Sequence, residues 1–288
     1  MSTLDHKVDF AVVLSVSKAN PNGDPLNGNR PRQNYDGYGE ISDVAIKRKI
    51  RNRLQDMGES IFVQSNDRKN DQYSSLRERA EGNPELSKIF KTKGSSNDEF
   101  AQVACEAWLD VRSFGQVFAF KSDSKGGGVS VGVRGPVSIH TATSVAPIDI
   151  TSMQITKSVN SEPGKDKGSD TMGMKHRVDT GVYVFYGSIN TQLAEKTGFS
   201  NEDALKIKEA LISLFENDAS SARPEGSMEI LKLVWWEHTS KLGQYSSAKV
   251  HHTLKIEPKI EDPKSFEKDY DFEVVPLEGL KVEVLNGK

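Results

Sequence analysis

Strict alternation opens the chain. Val8, Phe10, Val12, Leu14 and Val16 fall on one side of residues 7–17, and Asp9, Ala11, Val13 and Ser15 on the other. A period of two predicts a strand with one strongly apolar face. A long polar stretch rich in Asn, Gly and Pro follows, and then the period changes. Ile46, Ile50, Leu54 and Met57 share one stripe of a helix that Ser42 or Asp43 can cap and Gly58 closes. Lys47, Arg48 and Arg51 lie on the neighbouring arc, at the edge of that stripe.

From 59 to 115 the pattern is polar and helical, broken at Gly82-Asn83-Pro84 and Gly94-Ser95-Ser96, with Phe100, Val103, Ala107, Trp108 and Leu109 as its core candidates. It reads as an inserted subdomain. Val129, Val131, Val133, Val137 and Ile139 then predict one strand whose glycines, Gly132 and Gly135, leave a face bare for another backbone or a ligand. Residues 145–180 read as a protruding hairpin with Ile150, Met153 and Ile155 on one arm and Met172, Met174 and Val178 on the other. A central strand is predicted over 181–190, apolar on both faces. A helix follows from Ser200, with Ala204, Leu205, Ile207, Leu211, Leu214 and Phe215 as its buried side; a strand over 228–236 follows it. Short strands are expected over 249–256 and 271–275. With the two excursions and the C-terminal part set aside, the order is strand, helix, strand, strand, helix, strand. That is a ferredoxin-like α+β arrangement. RNA-recognition modules share it, but the aromatic consensus by which such modules stack bases on the sheet is absent.

Net charge is −3, pI is near 6.1 and mean hydropathy is −0.56. A free-standing, non-specific nucleic-acid binder is usually basic overall. Here the positive charge is segregated. Residues 18–53 carry eight Lys and Arg against four acids, whereas 257–288 carry nine acids against five lysines. One cysteine, Cys105, excludes an internal disulfide and fits a reducing compartment. It reads as a small core residue rather than a nucleophile. No signal-peptide pattern precedes Val8 and no apolar run has the length of a membrane span, so a cytoplasmic protein without a membrane partner is expected.

Two stretches carry candidate chemistry. Loops longer than about 12–15 residues with no structure of their own are usually functional or disordered. The loop after the first strand offers Asn20, Asn22, Arg30, Arg32 and Gln33 and delivers the chain to Lys47, Arg48 and Arg51. Amide and cationic groups in that density suit a phosphodiester chain. A solvated basic helix face accounts for the same cations. The returning arm of the hairpin carries Met172, Met174, Lys175, His176 and Arg177, apolar and basic groups that can wedge into stacked bases. A solubilised surface loop has a similar composition. Arg134 stands between the two glycines of the Gly-rich strand, where a bend before Pro136 is the bland alternative. The loop aspartates Asp24, Asp36 and Asp43 form no tight acidic cluster of the kind a metal nuclease gathers, and the six histidines show no metal-ligand helix spacing. No cofactor and no metal are expected.

NPNGDP at 20–25, GNRPRQNYDGYG at 28–39 and SDVAIKRKIRN at 42–52 begin a series of motifs. DVRSFG at 110–115, GVRGPVSIHTATSVAPI at 132–148, MGMKHRVDTG at 172–181 and LFENDASSARPEGSM at 214–228 continue it. The series resembles the backbone subunit of CRISPR type I-C effector complexes, the Cas-seven family of Csd-two type. It covers nearly the whole chain and is weakest over 60–100 and after 240. The resemblance implies a hand: a palm of 1–58, 116–144 and 181–288 built like an RNA-recognition module, a helical finger of 59–115 and a thumb hairpin of 145–180. It also implies a scaffold rather than an enzyme. Copies of such a subunit, with the other Cascade subunits, polymerise along a CRISPR guide RNA, kink it and display its bases to a target DNA strand, and a recruited helicase-nuclease acts on the complex. A metal-dependent RNase and a stand-alone RNA-binding protein are the competing readings.

Overall fold

The computed structural model describes residues 2–91, 96–121, 128–156 and 172–288. Its strands are β1 (Val8–Ala19), β2 (Tyr38–Ile41), β3 (Gly115–Lys121), β4 (Gly128–Arg134), β5 (Val137–Ile139), β6 (Ala142–Pro147), β7 (Ile150–Thr156), β8 (Met172–Ile189), β9 (Met228–Glu237), β10 (Leu254–Pro258), β11 (Tyr270–Val274) and β12 (Lys281–Asn286). Its main helices are α1 (Asp43–Asp56), α2 (Leu76–Gly82), α3 (Pro84–Lys91), α4 (Asn97–Ala107), α5 (Leu109–Phe114), α6 (Thr191–Thr197), α7 (Asn201–Ile212) and α8 (Ser247–His251).

Eight strands form one antiparallel sheet in the order β12-β9-β1-β8-β6-β2, with β5 and β7 also paired to β8. The alternation of β1 divides the interior. Val8, Phe10, Val12, Leu14 and Val16 face the main core with Ile46, Ile50 and Leu54 of α1 and Ile207 and Leu211 of α7. Phe10 stacks on Trp235 with ring centroids 5.7 Å apart. A fully buried aromatic or aliphatic side chain of this kind contributes about 1.5–3 kcal/mol. Ala11 and Val13 face the opposite way, with Val182, Val184, Val234 and Trp236. That second face is covered by the C-terminal part of the chain: Val250, Leu254, Tyr270 and Leu280 pack onto it. A third cluster holds Phe62, Leu86, Phe100, Trp108, Phe118 and Val131. It joins α2–α5 to the ladder of β3 and β4.

Ser42 caps α1 by accepting from the Ala45 N–H, and Gly58 follows the helix at φ +89°. Cys105 is buried, and burial pushes its thiol up to about 11, as a core residue requires. Several elements differ from the sequence expectation. The strand read over 129–139 is two strands, and only β5 joins the main sheet; β4 pairs with β3 instead. The break is at Gly135, where a Cβ would lie 2.3 Å from the Ser113 carbonyl oxygen and 2.5 Å from the Gly115 nitrogen. The bare face at Gly135 therefore admits another backbone, whereas Gly132 faces open space. The hairpin arm and the central strand are one 18-residue strand, β8. Residues 247–251 are a short helix capped by Ser246, so His251 turns inward and His252 outward. Leu205, expected inside, is 60% exposed, because it falls off the arc that buries Ala204, Ile207 and Leu211. β12 was not expected from its acidic surroundings; it pairs with β9 from Lys232↔Asn286 to Glu237↔Lys281. No described helix is long and apolar enough to cross a membrane. The tip of the hairpin expected over 145–180 lies outside the described residues from 157 to 171.

Candidate nucleic-acid interface

The loop after β1 has structure of its own. Gly23–Asp24 pairs with Arg30–Pro31, and the turn between them is capped by Asp24, whose Oδ1 accepts from the Leu26 N–H at 3.2 Å. Asn20 is buried and donates to the Asn29 carbonyl at 2.7 Å. Asn22 Oδ1 accepts from the Ser42 N–H at 2.9 Å, which ties the loop to the cap of α1. Gln33 donates to the carbonyls of Gly37 and Ile148 at 3.0 and 2.9 Å. Three amides read as ligand contacts therefore fold the loop and tie it to the cap of α1 and to Ile148. What the loop displays is different: Leu26 is 98% exposed and Tyr35 fully exposed, both at the tips of tight turns. Arg32 lies 3.5 Å from Asp24.

The loop meets the hairpin arm. Arg30 Nη1 donates to Ser152 Oγ at 2.8 Å, and the same oxygen lies 2.8 Å from His176 Nδ1. In the register of β7 and β8, Met172, Met174 and His176 stand opposite Thr156, Gln154 and Ser152, so all six share one face of the arm. Met172 and Met174 are 56% and 55% exposed on that face. Lys175 and Arg177 project from the other; Lys175 is exposed, and Arg177 lies 3.5 Å from Asp179, which also accepts from Thr151 Oγ1 at 2.5 Å. Arg134 is exposed at the end of β4. Ser152, which joins loop to arm, carried no sequence signal; a serine in a polar hairpin does not stand out.

The cations of α1 point elsewhere. Lys47 pairs with Asp43 at 3.0 Å. Arg48 donates to the Val63 carbonyl at 2.6 Å. Arg51 Nε pairs with Asp110 Oδ2 at 2.9 Å, and Asp110, fully buried, also accepts from the Phe62 and Val63 N–H groups. Lys49 and Asp218 form an almost buried pair, with Arg223 3.2 Å from the same carboxylate; burial pulls the Lys49 ammonium down to about 8. Arg53 reaches Ser213 Oγ at 2.8 Å and Glu216 at 2.6 Å. Helix α1 is thus a hub that clamps residues 61–63, α5 and the 213–223 turn to the sheet. Arg112, in the same DVRSFG motif as Asp110, grips Asp203 with two bonds of 2.9 and 2.8 Å.

Chemically, the loop and arm together offer an exposed, mixed apolar and basic surface. Among the described residues no three of His, Cys, Asp and Glu lie together in a way that could hold a metal ion. Asp9 sits in the interior instead, 2.8 Å from His238 Nε2 and 3.0 Å from Lys7 Nζ. Burial pushes its carboxyl up, but the bonds from His238, Ser247 and Lys7 outweigh that and hold it below the ordinary carboxylate range.

Residues 6–275 match the family model described as CRISPR-associated protein Cas7. The CRISPR-associated protein Cas7 of Haloferax volcanii is 25% identical over 234 residues, which is 77% of this chain and 67% of that protein. Two solved structures described as a CRISPR RNA-guided surveillance complex, one of them pre-nicking, contain chains of related shape. They are 16% and 15% identical with TM-scores of 0.47 and 0.45; each likeness covers 80% of this chain, and 75% and 68% of theirs, the pre-nicking one first in each pair. With a family match running from His6 to Val275, this chain belongs to the Cas7 family of CRISPR-associated proteins.

Proposed function

We propose that this chain is the guide-RNA-binding backbone subunit of a type I-C CRISPR surveillance complex. In this reading copies polymerise along the guide RNA, kink it and leave its bases free to pair with a target DNA strand. The other Cascade subunits complete the particle, and a helicase-nuclease is recruited to it. Sequence recognition then belongs to base pairing and the protein's task is to hold phosphate and sugar. The eight-stranded sheet is read as a ferredoxin-like palm: β9-β1-β8 with β5 beside β8 follows the split βαβ order, α1 and α7 lying on one face. The cluster built on α2–α5 is the finger and the β7–β8 arm the thumb.

The observation that carries the reading is the junction of loop and arm at Arg30, Ser152 and His176, set against a sheet face that the C-terminal part covers. A covered sheet cannot stack bases, so contact falls to the loop and arm. There Arg30 and Arg32 of the loop and Lys175 and Arg177 on one face of the arm supply charge, while Met172 and Met174, with the His176 ring, supply an apolar wedge on the other face. Arg134 adds an exposed cation at the end of β4, Asn20, Asn22 and Gln33 hold the frame of the loop, and Lys47, Arg48 and Arg51 are engaged within the fold.

The nuclease reading has a weaker footing. Asp24 is engaged in capping its turn and in facing Arg32, and Asp43 in pairing with Lys47. Co-expression with a guide RNA, followed by sizing and RNA extraction, tests the proposal. The expected product is a particle of several protein copies on RNA of one defined length; a protein that elutes only as RNA-free monomer overturns it. Adding complementary RNA and a divalent metal to that particle separates the classes, since cleavage abolished by Asp24→Ala would establish an enzyme.

A further inference from the structure

Eight Lys and Arg side chains lie between residues 18 and 53, and the fold engages seven of them. Arg30 is bonded to Ser152, Arg32 faces Asp24, Lys47 pairs with Asp43, Arg48 donates to Val63, Lys49 pairs with Asp218, Arg51 with Asp110 and Arg53 with Glu216. Lys18 alone makes no ion pair or side-chain hydrogen bond among the described residues, and it is exposed.

Its backbone is the second observation. Lys18 has φ +53°, in the left-handed region. Among the described residues the other non-glycine ones there are Asn29 and Asn217, and asparagine tolerates that conformation. The geometry of β1 explains what the kink does. Val8, Phe10, Val12, Leu14 and Val16 all enter the main core, so residue 18 in a regular strand would point the same way. The left-handed residue breaks the alternation: Lys18 turns out to solvent and Ala19 takes the buried place. The β1–β8 ladder skips this position, running from Ser17↔Thr180 to Ala19↔Val178, and the Asp179 N–H bonds the Asp149 carbonyl instead. Both flanks are pinned, because the Ser17 N–H donates to the Ser227 carbonyl at 2.8 Å and the Asn20 N–H to the Ala222 carbonyl at 2.9 Å.

Glycine would make this turn without a Cβ conflict, so packing does not call for a lysine. Strain of this kind, held rigidly and ending in an unpartnered cation at the mouth of the loop, points to use of the side chain. We propose that Lys18 is a phosphate-binding residue of the RNA surface, held out of the core by its own left-handed backbone to contact the ribose-phosphate chain. This deepens the reading given above and rests on it. A phosphate contact is blind to base identity.

The test compares the wild-type protein with Lys18→Gly and Lys18→Arg, measuring thermal midpoint and binding of a labelled single-stranded RNA of guide length across a salt series. Lys18→Gly should hold or raise the midpoint, since glycine relieves the left-handed conformation. It should also weaken binding equally for unrelated RNA sequences and lower the slope of log K against log salt by about 0.7. Lys18→Arg should keep the wild-type slope. An unchanged slope in Lys18→Gly removes Lys18 from the site even while wild-type protein binds RNA. A fall in its midpoint overturns the strain argument. Wild-type protein with no affinity for the RNA overturns the parent reading as well, and that outcome is visible without any variant.

Discussion

At the scale of single residues, Asp110 does more than any cation around it. It accepts from the Phe62 and Val63 N–H groups and from Arg51 while fully buried. Removing one partner of a buried pair leaves the other charge without compensation, at about 3–5 kcal/mol. Asp110→Ala should therefore lower stability by that amount in a denaturant titration, with Arg51→Ala close behind. Met174→Ala should behave in the opposite way. Its side chain is half exposed on the arm and supports no core, so stability should stay within about 0.5 kcal/mol of wild type. Guide-RNA binding should nevertheless weaken when Met172, Met174 and Lys175 are replaced together by Ala. Full binding by that triple variant would separate the arm from the RNA surface.

At the scale of elements, the sequence pattern was informative where a period repeats and poor where a few residues decide. β1, α1 and the apolar run of 181–190 could be read because burial on one face or both imposes a long pattern. β2 and β5 have four and three residues, too short for a period, and their places come from pairing with distant strands. The candidate surface stands out in the sequence as a region, and its internal contacts do not. Density of Asn, Arg and Lys marked the loop and helix, but composition cannot tell a cation that binds outward from one that clamps inward. Arg51 and Lys18 look alike in the sequence; Asp110, 59 residues from Arg51, distinguishes them. Helix α7 shows the same economy. Asp203 completes a capping box with Ser200 and accepts both bonds from Arg112 of α5. Burial pushes Asp203 up, yet the bonds from Arg112 and from the Ser200 N–H prevail and hold it below the ordinary carboxylate range, the same direction as Asp9. A carboxylate with a depressed folded-state pKa contributes stability that is complete above its unfolded value and is lost as pH falls through the folded one. The thermal midpoint should thus hold from neutrality to about pH 5 and decline below the unfolded carboxylate pKa near 4. Asp203→Asn should lower the neutral plateau and flatten the acid slope; a slope identical to wild type would exclude Asp203 from that titration.

At the scale of the whole molecule, charge and cover are arranged together. Along the sequence the cations gather at 18–53 and the acids at 257–288, and that acidic stretch lies in the part that supplies cover to the second sheet face. That cover separates this chain from a module that reads bases on an open sheet. In the proposed reading the loop after β1 and the β7–β8 arm, joined at Ser152, are the surface that takes the sugar-phosphate chain. Hydrogen–deuterium exchange on the protein with and without bound guide RNA tests that assignment most directly. The account predicts new protection in residues 18–33 and 172–177, with β9 of the covered sheet face and the covering strand β11 unchanged. Protection confined to the C-terminal part, with the loop and arm exchanging as in the free protein, would contradict it.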